Sequence, residues 1–143
     1  MDVSGYQQHI RLYQSKFIHE MNRTAKQLGL ESTSFDNPHG LANKYNVSSV
    51  ADLAVAVHSF LKIPDFRDIT STLSYSGKLR NSLGEVTRIL DWENTNALLK
   101  EGYTGVKTGF TSDAGGCLVA TINISYREYH RQCLMVVLGS SNQ

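Results

Sequence analysis

Three apolar, β-branched runs crowd the last third of this sequence: Tyr103–Thr111, Cys117–Ser125 and Arg131–Leu138, with only turn-sized gaps between them. Runs of this composition read as strands, and such short gaps join them as an antiparallel meander. The final run, Cys133-Leu-Met-Val-Val-Leu138, is almost continuously apolar, the pattern of a central strand covered on both faces. The first half has a different period. Ile10, Tyr13, Phe17, Met21, Ala25 and Leu28 recur at three- and four-residue steps, one apolar stripe on a helix. Gly29 follows as a C-cap, where an αL stop is free of a Cβ penalty.

A second helix starts at Ser49. Ser49 and Asp52 have capping-box spacing, Val50, Leu53, Ala54, Val57 and Leu61 follow, and Pro64 ends the helix. Between the helices lies Asn37-Pro38-His39-Gly40-Leu41, a run of turn formers that predicts a sharp loop in which His39 braces the backbone. Residues 71–91 are mixed and polar, with Gly77 and Gly84 as breaks, and read as a short hairpin or an irregular loop. Trp92 beside Asn94-Thr95-Asn96 reads as packing plus an Asn-braced turn. Helices first and a meander last give an α+β architecture, helices packed on an antiparallel sheet.

Composition excludes several function classes. The 143 residues are one domain by length, 41% hydrophobic and 19% charged, a globular balance. Lys and Arg number 14 against 13 Asp and Glu with no basic run, which argues against nucleic acid as a partner. No apolar run nears the roughly 18 residues of a membrane helix, so no transmembrane segment is expected. Asp2–Gln14 has no apolar segment of the signal-peptide kind. The histidines His9, His19, His39, His58 and His130 share no ligand spacing with the cysteines, so neither a metal nor a cofactor is expected. Cys117 and Cys133 fall on the arms of one hairpin. With the turn near Arg127–Glu128, Cys133 faces about Ile122, too far from Cys117 for a disulfide, and both read as buried free thiols. The compartment stays open on this count. Asn22, Asn46 and Asn123 each open an Asn-x-Ser/Thr triplet without establishing secretion.

Lys107-Thr108-Gly109, followed by Phe110-Thr111, carries the chemistry. An ammonium and a hydroxyl side by side suit one anion, such as a peptide carboxylate. Gly109 removes a side chain where an extended peptide would approach the strand.

The surrounding succession is specific. Phe17-Ile-His-Glu-Met-Asn22, Ala25-Lys-Gln-Leu-Gly-Leu30, Asn37-Pro-His-Gly-Leu41, Ser48-Ser-Val-Ala-Asp-Leu-Ala54, Pro64-Asp-Phe66, Asn94-Thr-Asn-Ala-Leu-Leu99, Gly105-Val-Lys-Thr-Gly-Phe-Thr111, Ala114-Gly115, Cys117-Leu-Val-Ala120 and Val136-Val-Leu-Gly139 occur in this order. The set resembles the serine-type D-Ala-D-Ala carboxypeptidases, the low-molecular-mass penicillin-binding proteins, from about Phe17 to Gly139. The resemblance implies a β-lactamase/transpeptidase-like fold. It implies that Lys107 and Thr108 bind the terminal carboxylate of a D-Ala-D-Ala peptide or a β-lactam, on a strand edge formed with Gly109, Phe110 and Thr111. The Phe110 N–H would supply half of an oxyanion hole.

The same resemblance implies a Ser-x-x-Lys nucleophile pair and a Ser-x-Asn upstream of the first helix. Counting back roughly twenty residues from Phe17 lands at or before Met1, so residues 1–143 read as a partial domain. The first strands, the nucleophile helix and the last helix of the family are expected to be absent, and no catalytic residue is expected in this chain. Ser59-Phe-Leu-Lys62 and Ser140-Ser-Asn142 fit the two patterns but stand in the wrong order, and read as chance matches. The expectation put first is therefore an inactive structural subunit of a larger assembly. The alternatives are the substrate-binding part of a split carboxypeptidase, or a piece of a complete one. The subunit and split-enzyme readings expect another polypeptide to complete or cover the sheet. The enzymes resembled work outside the cytoplasmic membrane, and nothing in the sequence would carry this chain there.

Overall fold

The first helix, α1 (Val3–Gln27), is closed by the glycine the sequence nominates: Gly29 has φ 74°, and Leu30 N–H reaches back to the Ala25 carbonyl at 2.9 Å, satisfying an orphan carbonyl of the last turn. The structure, a computed structural model, describes residues 3–141. Ala25 and Leu30 are buried with Ala56 of α2 (Val50–Phe60), and Leu28 and Phe35 pack against them. Ser49 caps α2 through its Oγ, which accepts from Asp52 N–H at 3.1 Å. The reciprocal arm of the expected capping box does not form. The Asp52 carboxylate, 8% exposed, instead accepts from Ser32 N–H at 2.8 Å and Thr33 Oγ1 at 2.6 Å.

Pro64 both stops one helix and starts the next. The short α3 (Pro64–Ser71) has Pro at its first turn, where the missing N–H would have had no partner anyway. Residues 71–91 resolve as a hairpin: β1 (Ser74–Arg80) pairs antiparallel with β2 (Val86–Glu93), Tyr75 opposite Trp92 and Gly77 opposite Leu90. Gly77 is thus no break. A Cβ there would meet the Trp92 ring at 3.0 Å, so the missing side chain is room for the indole. Trp92 is 51% exposed and stacks on Tyr75, with centroids 5.9 Å apart.

A 3-10 helix (Ala97–Glu101) leads into β3 (Tyr103–Thr111), β4 (Gly115–Tyr126) and β5 (Tyr129–Ser140), one sheet in the order β3-β4-β5. A two-residue turn joins β4 to β5 with Arg127 at φ 54°, and a connection this short permits only an antiparallel pair. The architecture is α+β, helices with antiparallel sheets, as the sequence predicts. The last strand corrects it. Among the described residues β4 is the middle strand and buries Val119, Ala120 and Thr121, whereas β5 lies at an edge with Met135 and Val137 exposed. An all-apolar run is compatible with cover on both faces but does not fix a strand's place in the sheet, and no residue of β5 is buried. Cys117 and Cys133 are free, as expected, but half-buried rather than buried.

Contacts divide the chain into two compact units, Met1–Ser59 with Gly109–Cys117 and Val136–Gln143, and Phe60–Thr108 with Leu118–Met135. In the first, the loop between α1 and α2 is tied by an antiparallel bridge, Ser34 to Val47. In the second, Thr104 Oγ1 and the fully buried Thr121 Oγ1 pair at 2.8 Å between β3 and β4.

Candidate functional site

Strand alternation sends Lys107 and Thr108 to opposite faces of β3. The Lys107 Nζ nonetheless donates to the Thr108 carbonyl, so the ammonium sits at Thr108's own peptide unit. Lys107 is exposed and Thr108 half-buried, while the preceding Gly105 and Val106 are buried. The motif therefore emerges at the surface from a strand anchored behind it. Among the described residues no carboxylate lies within salt-bridge distance of Lys107.

The anchor is the Asn94-Thr95-Asn96 turn. Asn96 is 3% exposed, and its amide donates to the Gly105 carbonyl at 2.9 Å while its Oδ1 caps the 3-10 helix at Leu98 N–H, 3.2 Å. Asn94 donates to the Thr70 and Thr72 carbonyls at 3.2 and 3.0 Å and accepts from Asn96 N–H at 3.0 Å. Held between them, Thr95 puts its Oγ1 2.6 Å from Thr108 Oγ1. Sequence reasoning takes 94–96 for a braced turn, which it is, but misses Thr95 as a neighbour of the motif. Two flanking Asn residues on a short turn were the available signal; the pairing itself spans thirteen residues.

Gly109 is exposed, and a Cβ built on it meets nothing within 4 Å. Its φ is not positive. The described residues give no steric or conformational reason for glycine here. Phe110 is 56% exposed. Thr111 is turned to another task, its Oγ1 accepting from Ala114 N–H at 3.1 Å across the β3–β4 turn.

Of the two look-alike patterns, Ser59-Phe-Leu-Lys62 is split by the end of a helix. Ser59 is on α2, but Lys62 lies in the turn beyond its end, so the pair does not share one helical turn as a Ser-x-x-Lys nucleophile requires. Asn142 of Ser140-Ser-Asn142 lies outside the described residues. His39 braces its loop by accepting from Leu41 N–H at 3.2 Å. Among the described residues no three His, Cys, Asp or Glu side chains converge as metal ligands, and no helix is long and apolar enough to cross a membrane.

Comparison with known proteins covers nearly the whole chain. The model of a family described as D-alanyl-D-alanine carboxypeptidase matches residues 7–142. A D-alanyl-D-alanine carboxypeptidase of Bacillus subtilis is 36% identical over 130 residues, 90% of this chain and 31% of its own length. One from a Streptomyces species is 38% identical over 105 residues, 72% of this chain and 36% of its own. Among solved structures, a mutant of a Streptomyces DD-transpeptidase superposes with TM-score 0.81 at 34% identity, covering 90% of this chain and 49% of that one. A penicillin-binding protein of Listeria monocytogenes in a cefotaxime-bound form gives 0.67 at 31% identity, with 90% and 49% covered. The chain spans about half of these structures and about a third of the curated relatives.

Proposed function

The chain belongs to the D-alanyl-D-alanine carboxypeptidase family, and on that premise we propose that Lys107 and Thr108, with the strand edge Gly109–Thr111, hold the terminal carboxylate of a D-Ala-D-Ala peptide or the matching carboxylate of a β-lactam. The observation that carries this reading is the exposed Lys107 ammonium at the Thr108 peptide unit, without a carboxylate partner among the described residues. An anion arriving there gains charge-assisted hydrogen bonds from both groups. The peptide then lies along β3 as an added strand, over the open position at Gly109. The Phe110 N–H serves the oxyanion of the tetrahedral intermediate.

Binding is as far as these residues go. Acyl transfer needs an activated nucleophile, and the family's Ser-x-x-Lys is not among them. We assign that pair to sequence outside residues 1–143 or to a second polypeptide, and this span alone binds without cleaving. On this reading the site works outside the cytoplasmic membrane, on peptidoglycan stem peptides.

The second reading keeps the fold as an inactive docking body in a larger assembly. It draws on Ile10, Tyr13 and Phe17 of α1, which are 48%, 67% and 58% exposed. An apolar stripe of this kind calls for a cover under either reading, so it does not separate them. The exposed cation does, and favours binding.

Calorimetric titration of the native protein, with every chain that copurifies, against N-acetyl-Lys-D-Ala-D-Ala tests the proposal. Lys107→Ala weakens binding by about tenfold or more, the scale of a hydrogen bond to a charged group. An unchanged affinity overturns it.

A further inference from the structure

We propose that Thr95 is a positioning residue for carboxylate recognition, donating its hydroxyl proton to Thr108 Oγ1 so that the Thr108 proton is committed to the bound anion. The inference rests on the function proposed above and goes beyond it, because Thr95 lies outside the strand motif.

Each threonine hydroxyl has one O–H and two lone pairs. The two oxygens are 2.6 Å apart and either can be the donor. If Thr108 donates to Thr95, its only proton is consumed, and it shows an incoming carboxylate nothing but lone pairs. If Thr95 donates, the Thr108 proton is left to point outward. Thr108 can donate to a carboxylate only in the second arrangement. Thr95 has no other hydrogen-bond partner among the described residues, so no other protein group there competes for its proton.

Donation does more than choose the direction. A hydroxyl that accepts a hydrogen bond becomes a stronger donor, and the chain Thr95 to Thr108 to carboxylate gains from that polarisation. The geometry is held from behind. Asn94 and Asn96 fix the turn on both sides of Thr95, and the buried Asn96 amide ties it to the Gly105 carbonyl of the strand that carries Thr108. The turn and strand therefore keep the two hydroxyls in register before any ligand arrives, and no ordering has to accompany binding.

The test compares N-acetyl-Lys-D-Ala-D-Ala with its C-terminal amide, which has the same shape without the charge, by calorimetric titration of the native protein. Wild type prefers the acid. Thr95→Val keeps the shape and removes the proton; it lowers acid affinity by about five- to tenfold, the scale of one charge-assisted hydrogen bond, and leaves amide affinity unchanged. Thr95→Ser restores the acid preference. A merely structural Thr95 would weaken both ligands alike, and that result overturns the proposal, as does an undiminished acid preference in Thr95→Val. Lys107→Ala in the same titrations separates the two ideas. If it erases the acid preference while Thr95→Val does not, only the role of Thr95 fails. If wild type binds neither ligand, or Lys107→Ala changes nothing, the carboxylate site fails and the role of Thr95 with it.

Discussion

The loop between α1 and α2 and the turn that leads into β3 are braced by the same chemistry, asparagine side chains standing in for backbone partners, yet the two networks end differently. In the loop, Asn22 exchanges two hydrogen bonds with Phe35, 2.7 and 2.8 Å. Asn37 closes the Gly40–Leu41 turn from both ends of its amide, and Asn46 accepts from Asp36 and Asn37 N–H while donating to the Leu41 carbonyl. Asp52 Oδ2 accepts from both Ser32 N–H and Thr33 Oγ1. Each of these asparagine amides is spent on backbone groups of the loop itself. The turn before β3 begins in the same way, with Asn94 and Asn96 satisfied, but it terminates in an exposed ammonium and a hydroxyl pair that retain capacity for a ligand. Polar residues alone do not mark a site.

The largest effect expected from this contrast is in the α1–α2 loop. Asp52→Ala leaves two donors without their acceptor and costs about 3 kcal/mol of stability, read as a lowered urea midpoint, with D-Ala-D-Ala peptide affinity of the surviving folded protein unchanged. Loss of affinity at retained stability would erase the distinction. Asn96→Ala joins both properties: loss of the buried bond to Gly105 costs about 2 kcal/mol, and affinity falls too, because β3 loses its tie to the turn. Affinity unaffected in that variant would show the turn to be irrelevant to the motif. Lys107→Ala is the reverse of Asp52→Ala. Its side chain is exposed, so stability holds within about 0.5 kcal/mol while binding drops. Smallest in stability is Gly109→Ala, with no new contact to make and a midpoint within about 0.5 kcal/mol of wild type, but with affinity for the peptide reduced severalfold. A large loss of stability there would mean the fold, not a ligand, requires the glycine.

Local patterns in the sequence reach the local structure. The 3.6-residue stripe gives α1, Gly29 gives its end, and Ser49 gives the start of α2. Pro64 reads as a stop because its effect on the preceding helix is the stronger signal, while its fitness for a first turn is overlooked, and α3 is lost with it. Gly77 reads as a break because a glycine's reason is invisible until the Trp92 ring lies over it. The edge position of β5 and the pairing of Thr95 with Thr108 depend on contacts between separated segments, which no period encodes. Of the candidate site, Lys107, Thr108 and Gly109 are legible because their types and spacing carry chemistry by themselves. Thr111 is legible only as a neighbour, and its hydroxyl braces the β3–β4 turn.

The most direct test is covalent labelling of the native protein, with all copurifying chains, by a fluorescent β-lactam, followed by intact mass and peptide mapping. The account predicts an adduct on a serine outside residues 1–143, on this polypeptide or a neighbouring one, and its loss in Lys107→Ala. An adduct on Ser59 or any other residue of this span would contradict it, and no adduct on any chain would leave the docking-body reading in its place.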